Sequence, residues 1–180
     1  RSTTQINRAL LMALTLSRIP LALVLMGLFN LRGPGITEVL IGAGILILIE
    51  LSDLFDGIIA RTTGLQSEIG AIMDPYSDSI ARFITYIAFA QSGLALLFVP
   101  VCMAVRDITT AYARIILVRA GRSASAKFSG KLKAWVQALG AFALILGPIY
   151  WDYTGTTTVA IISYAVGILT LASGVEYVTA

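Results

Sequence analysis

The 180-residue sequence contains no histidine and a single cysteine, Cys102. Without imidazole there is no Ser-His-Asp catalysis, no histidine zinc site and no histidine proton shuttle. One thiol forms neither an internal disulfide nor a cysteine-cluster metal site. Charge is scarce as well. Only 13% of residues are charged and 57% are hydrophobic, against about 25% and about 45–50% in an average soluble domain. Mean hydropathy is +0.86. This balance excludes a disordered chain and a nucleic-acid-binding module, and it argues against a soluble domain. The chemistry left to the chain is that of Asp, Glu, Arg, Lys and hydroxyl groups.

What is present is apolar sequence in long runs. A helix crosses a hydrocarbon core of ~30 Å with roughly 20 mostly apolar residues. Stretches of that kind fall at residues 9–31, 37–62, 67–91, 94–120, 130–150 and 156–178. The first ends at the turn Arg32-Gly33-Pro34-Gly35, and Gly147-Pro148 with residues 152–155 separates the last two. The first stretch is too long for a signal peptide and lacks a small-residue cleavage site, so it is expected to stay in the membrane. The expected fold is an all-α membrane protein with six transmembrane helices, forming a single catalytic domain over residues 1–180.

The basic residues orient these spans. Arg1, Arg8, Arg61, Arg119, Arg122, Lys127, Lys131 and Lys133 would lie on one side of the membrane and Arg32 alone on the other. The positive-inside tendency then places both termini in the cytoplasm. Trp135, Tyr150 and Trp151 suit an interfacial aromatic belt, and Cys102 reads as a small buried hydrophobe.

Ionisable groups inside spans are costly and mark functional sites by default. Here they cluster. Asp53, Asp56, Gly57, Ala60 and Arg61 fall at i, i+3, i+4, i+7 and i+8, one face of the second predicted helix. Gly70, Asp74 and Asp78 fall at i, i+4 and i+8, one face of the third. A short connection makes the two helices antiparallel neighbours, so four carboxylates can converge at one depth. Repulsion and desolvation would protonate some of them if they stood bare. A divalent cation resolves this, and all-oxygen ligation suits Mg²⁺, Mn²⁺ or Ca²⁺ rather than zinc. Gly57 and Gly70 leave space for a ligand on the acidic face, or else serve tight helix packing. Arg61 offers a planar fork to phosphate, or else a cation at a helix end.

The full spacing is Asp53-x2-Asp56-Gly57-x2-Ala60-Arg61-x8-Gly70-x3-Asp74-x3-Asp78. It resembles the signature of the CDP-alcohol phosphotransferase family, with every position filled. Members of that family move a substituted phosphate from a CDP-linked donor to an alcohol and release CMP. The resemblance implies that Asp53, Asp56 and Asp74 bind metal. It implies that Asp78 holds a second ion or acts as general base on the acceptor hydroxyl. Asp53, Gly57, Ala60, Arg61 and Gly70 would line the cytidine diphosphate pocket. The implied cofactor is Mg²⁺ or Mn²⁺, with two ions expected. The chemistry is coherent in its own terms, because a pyrophosphate donor needs its charge neutralised. With no histidine present, an Asp is also the natural base.

Further along, Arg106-Asp107, Arg114 and Gly130-Lys131-Leu132-Lys133 are more cationic than a neutral acceptor needs. Together with Asn7 and the run Leu14-Thr15-Leu16-Ser17-Arg18-Ile19-Pro20, they resemble the bacterial branch that transfers phosphatidyl from CDP-diacylglycerol to sn-glycerol 3-phosphate. That resemblance implies that Arg106, Arg114, Lys131 and Lys133 grip the acceptor phosphate. It also implies a bacterial-type inner or plasma membrane, an active site open to the cytoplasm, membrane lipids as surroundings and no nucleic-acid partner. Dimers are common among such relatives, so a homodimer is part of the expectation. Two departures stand out, Ser79 where a Lys often follows the last signature Asp, and Ala134 where a Thr often follows Lys133.

Glu50 sits one turn before the acids, as a further shell or as a partner of Arg18 or Arg82. Arg82, one turn past Asp78, reads as a structural partner of that acid or as a substrate contact. Arg106 lies mid-span and needs an anionic partner, whether near Asp107, at Glu50 or in a substrate. Inositol phosphate is the alternative acceptor, and a neutral alcohol such as serine a weaker one. A small cation transporter is the reading outside the enzyme class. A transport path would need polar residues through the full depth of several spans, whereas these acids gather near the cytoplasmic side.

Overall fold

The computed structural model describes residues 3–64, 68–121, 128–150 and 155–178. Among these residues there are eight helices and no strand: α1 (Thr3–Leu16), α2 (Arg18–Arg32), α3 (Ile36–Thr63), α4 (Glu68–Gln91), α5 (Phe98–Arg119), α6 (Phe128–Ile145), α7 (Gly147–Tyr150) and α8 (Gly155–Val178). The all-helical expectation holds; the second, third, fourth and sixth apolar runs coincide with α3, α4, α5 and α8 to within a few residues, and the fifth is divided into α6 and α7.

The first run is divided as well. Residues 9–31 were expected as one helix, and the chain instead interrupts it at Ser17, between α1 and α2. The reason is Pro20. Its ring occupies the place of a backbone donor and crowds the carbonyl four residues earlier, that of Leu16. The Ser17 hydroxyl donates to the Leu14 carbonyl at 2.6 Å, covering a carbonyl of the interrupted turn. At the far end of α3, Gly64 adopts φ 66°, a left-handed closure that side-chain-bearing residues avoid.

Two helical stretches, Ala9–Arg32 and Gly155–Val175, are each long and apolar enough to cross a membrane on their own. Large apolar side chains also stand exposed along other helices, among them Leu40, Ile47, Leu54 and Phe55 on α3 and Val101, Val105, Ile108 and Ile115 on α5. A soluble monomer rarely shows so much oil to water. Such surfaces are at home against lipid, and the chain is a membrane protein.

The chain divides into two compact units, Arg1–Ala88 and Phe89–Ala180. In the first, α1 and α2 pack on α3. Ala22 of α2, Ile49 of α3 and Ala81 of α4 form a buried apolar cluster, with Leu21, Ile45 and Ile84 against it. Two of the three central residues are alanines, which lets the backbones approach closely. Ser77, fully buried on α4, donates to the Thr15 carbonyl at 2.6 Å and so ties α4 to α1.

In the second unit α8 packs on α5 and α6. The buried stripe of α8 is small or hydroxylated: Ser163, Val166, Gly167, Thr170, Ser173 and Gly174. In lipid, where apolar burial gives no preference for protein over acyl chain, such residues favour helix contact through close packing and hydrogen bonds. Gln137 of α6 donates to Thr170 at 3.2 Å, and Ser163 accepts the Leu96 backbone N–H at 3.0 Å. Gly167 is the tightest point. A Cβ there would stand 2.5 Å from the Phe98 ring and 3.3 Å from Cys102 Sγ. The Phe98 ring is itself held against Tyr164, centroids 5.2 Å apart. Gly167→Leu therefore has to force α8 from α5, with an expected loss of about 3 kcal/mol. A drop in the thermal unfolding midpoint in detergent measures it, and an unchanged midpoint would show that the contact does not matter.

Candidate active site

The site lies within the first unit, where α3 carries two acids one turn apart and α4 supplies the third. One carboxylate oxygen from each of Asp53, Asp56 and Asp74 lies within 4.8 Å of the other two. The local reason is helical geometry. Residues three apart on α3 share a face, and Asp74 lies near the end of the second turn of α4, just before Pro75, which removes a helical N–H at that turn.

At the centre of the three acids is Arg18, whose side chain has no solvent exposure. Its Nη1 lies 2.9 Å from Asp53 Oδ1, an ion pair without the alignment of a hydrogen bond. Its Nη2 donates to Asp56 Oδ2, and to Asp74 Oδ1 at 3.1 Å. The remaining donor, Nε, reaches Ser52 Oγ at 3.3 Å, and that hydroxyl donates in turn to the Ile49 carbonyl at 2.8 Å. Thr15 Oγ1 stands 3.0 Å from Asp56 Oδ2 and 3.1 Å from the Leu11 carbonyl, so its single proton is divided between them. Asp56 is the most enclosed of the three acids, with its side chain 5% exposed against 42% for Asp53 and 50% for Asp74. The site is thus walled on the Asp56 side and open on the other two.

A second ionic group sits one turn further along α4. Arg82 directs Nε to Asp78 Oδ1 at 2.8 Å, and its Nη1 and Nη2 take the two oxygens of Glu50 at 3.0 and 3.1 Å. Of the partners weighed for Glu50, the structure selects Arg82. Asp78 does not join the group formed by Asp53, Asp56 and Asp74. Its carboxylate is held by Arg82 instead, with 20% of the side chain exposed.

The other residues singled out by sequence fall as follows. Gly57 and Gly70 are half-buried on α3 and α4. The backbones of Ala60 and Arg61 continue α3, and their side chains lie outside the described residues. In the second unit, buried Arg106 donates from Nη1 to Asp107 Oδ1 at 2.9 Å and from Nε to Ser173 Oγ at 3.2 Å. Buried Lys133 reaches both Asp107 oxygens, at 2.8 and 3.0 Å. Asp107 thus bridges α5 and α6. Arg114 is half-buried and Lys131 exposed. Arg122 and Lys127 lie outside the described residues.

Two residues carry more than the sequence reading assigned them. Arg18 was weighed only as a partner for Glu50. The available signal was that it is the single charge between Arg8 and Arg32 in an otherwise apolar run. Asp107 was read as a neighbour of Arg106. The available signal was that it is the only acid between Asp78 and Asp152.

The triad offers a cation three carboxylate oxygens and no nitrogen or sulfur, a donor set suited to a hard divalent ion. Ligands on opposite sides of such an ion, at about 2.1–2.5 Å each, stand about 4–5 Å apart, which the observed spread of the oxygens matches. The residues present therefore fit a divalent metal.

An all-helical membrane protein with an acidic cluster of this kind at the Asp53–Asp78 spacing matches a known class. The family profile described as CDP-alcohol phosphatidyltransferase matches residues 10–174, nearly the whole chain, and the chain belongs to that family. Among individual relatives, a probable phosphatidylglycerophosphate synthase of Mycobacterium tuberculosis is 35% identical over 136 residues, covering 71% of this chain and 59% of the relative. A CDP-diacylglycerol–glycerol-3-phosphate 3-phosphatidyltransferase of Bacillus subtilis is 26% identical over 138 residues, covering 77% and 72%. One of the same name from Salmonella choleraesuis is 26% identical over 172 residues, covering 93% and 91%. The aligned region spans about three fifths of the mycobacterial relative's length.

Proposed function

We propose that the protein transfers a phosphatidyl group from CDP-diacylglycerol to sn-glycerol 3-phosphate and releases CMP, a step of phospholipid synthesis. The observation that carries this reading is the convergence of Asp53, Asp56 and Asp74 within 4.8 Å on two helices bearing the complete family signature. The relatives' names support the choice of donor and acceptor.

In this reading Asp53, Asp56 and Asp74 hold Mg²⁺ or Mn²⁺, with Asp78 close enough in sequence to serve a second ion. A cation held by these three acids would supply neutralisation of the donor pyrophosphate and polarisation of its phosphorus. Gly57, Ala60, Arg61 and Gly70, with Asp53, line the place of the cytidine diphosphate. Asp78 takes the proton of the acceptor hydroxyl, with Arg82 and Glu50 holding it in orientation. The acceptor oxygen bonds to the phosphorus of the phosphatidyl group, the bond from that phosphorus to the bridging oxygen breaks, and CMP departs with that oxygen. Arg106, Arg114, Lys131 and Lys133 bind the acceptor's own phosphate, which the gathering of Arg106 and Lys133 at Asp107 supports.

The same reading takes six membrane spans with both termini in the cytoplasm, a site facing the cytoplasmic leaflet of a bacterial inner membrane, and a homodimer. The positive-inside distribution and the exposed apolar helix faces support the topology. Purified protein with labelled CDP-diacylglycerol, tested against a panel of glycerol 3-phosphate, inositol phosphate and serine with Mg²⁺ or Mn²⁺, decides the acceptor. CMP release with glycerol 3-phosphate alone is the expected result. Release with inositol phosphate instead would reassign the acceptor. Cation flux in liposomes without CMP release would move the chain to the transporter reading.

A further inference from the structure

We propose that Arg18 is a positioning residue of the acidic triad, a resident counter-cation that holds the three carboxylates together before a divalent ion arrives and competes with that ion for them. The proposal rests on the metal-site reading given above.

An arginine that only staples two helices needs one acid. Arg18 instead spreads two nitrogens over three acids from two helices, Asp53 and Asp56 on α3 and Asp74 on α4. Its own helix, α2, is a third element, so one guanidinium joins three. No water reaches its side chain, and its remaining donor is taken by buried Ser52. Its guanidinium places a positive charge directly among these acids.

The oxygens it touches, Asp53 Oδ1, Asp56 Oδ2 and Asp74 Oδ1, come one from each residue of the triad. Guanidinium and metal therefore bid for the same three carboxylates. Three acids against one arginine leave a net negative charge, so a divalent ion is still attracted, but less strongly than to the bare triad. Two effects of Arg18 on ion binding oppose each other. It preassembles the ligands, which would help an ion, and its charge beside the same three carboxylates would repel one, which would hinder it. In a partly buried site a charge at ~4 Å acts more strongly than the loosening of side chains already anchored on two helices. Repulsion is expected to win, and Arg18 then sets an upper limit on metal affinity and keeps the empty site from flying apart.

The test uses the full chain in detergent, with Mn²⁺ titration followed by electron paramagnetic resonance and thermal unfolding with and without Mn²⁺. Arg18→Gln removes the charge, and Arg18→Lys keeps it while losing the fork. In Arg18→Gln the Mn²⁺ dissociation constant is expected to fall about tenfold. Its unfolding midpoint should be lower than wild type without cation and return most of the way with saturating Mn²⁺. Arg18→Lys should bind Mn²⁺ about as wild type does, with a lowered midpoint that Mn²⁺ also restores. Equal or weaker Mn²⁺ binding in Arg18→Gln overturns the proposal. Should that variant not fold, a lowered midpoint in Arg18→Lys that Mn²⁺ leaves in place overturns it equally. Equal affinity in wild type and Arg18→Gln sinks this proposal alone, whereas absence of Mn²⁺ binding in both sinks the metal-site reading as well.

Discussion

Asp56→Asn lowers CMP release by about a thousandfold, which corresponds to about 4 kcal/mol of transition-state stabilisation. Asp56 is the member of the triad whose loss leaves least to compensate. It is the most enclosed of the three acids, and it takes contacts from both Arg18 and Thr15. An amide of the same shape keeps an oxygen for these donors but lacks the charge that would hold a divalent ion. Arg18 still has Asp53 and Asp74, so the fold should survive with a modest change in unfolding midpoint. The measurement pairs CMP release with Mn²⁺ binding on the same preparation. Turnover within tenfold of wild type would remove Asp56 from the metal site.

Asp78→Asn is expected to cost about a thousandfold in kcat as well, in the range typical of a lost general base, but with a different signature. Asp78 is outside the three acids that converge within 4.8 Å, although its charge acts on Asp53, and it pairs with Arg82. Mn²⁺ binding should therefore remain within a few-fold of wild type while turnover falls. The fork of Arg82 is anchored on both oxygens of Glu50, so the asparagine is held where the carboxylate was and the loss reports chemistry rather than displacement. Loss of Mn²⁺ binding together with activity would reassign Asp78 as a metal ligand, the other role its place in the signature allows. Retained activity would exclude it as the base.

The contrast between these two acids shows what spacing alone could not resolve. On the sequence, Asp53, Asp56, Asp74 and Asp78 are four equivalent carboxylates on two helix faces. In the structure three of them share an arginine, and the fourth, though its charge acts on Asp53, pairs instead with Arg82, which Glu50 also holds. The difference comes from the rotation and offset of α3 against α4 and from what α2 inserts between them. No periodicity within one helix contains that information. The same holds in the second unit. On the sequence, Asp107 is one candidate partner for Arg106, but that it also takes Lys133 and so joins α5 to α6, through contacts 26 residues apart, is decided by packing.

The sequence by itself determined the helices, because in a nearly uncharged chain each apolar run must satisfy its own backbone hydrogen bonds and can do so only as a helix. It also determined the family, because the signature is a local spacing of acids and small residues on two such runs. The runs over residues 9–31 and 130–150 read as unbroken because hydropathy does not register the steric effect of Pro20 or of Gly147-Pro148. Only the tertiary structure decided which cation answers which acid. Arg18 is 35 residues before Asp53 and 56 before Asp74, and charges in a low-dielectric interior pair with whatever helix packing sets beside them, not with their neighbours in the chain.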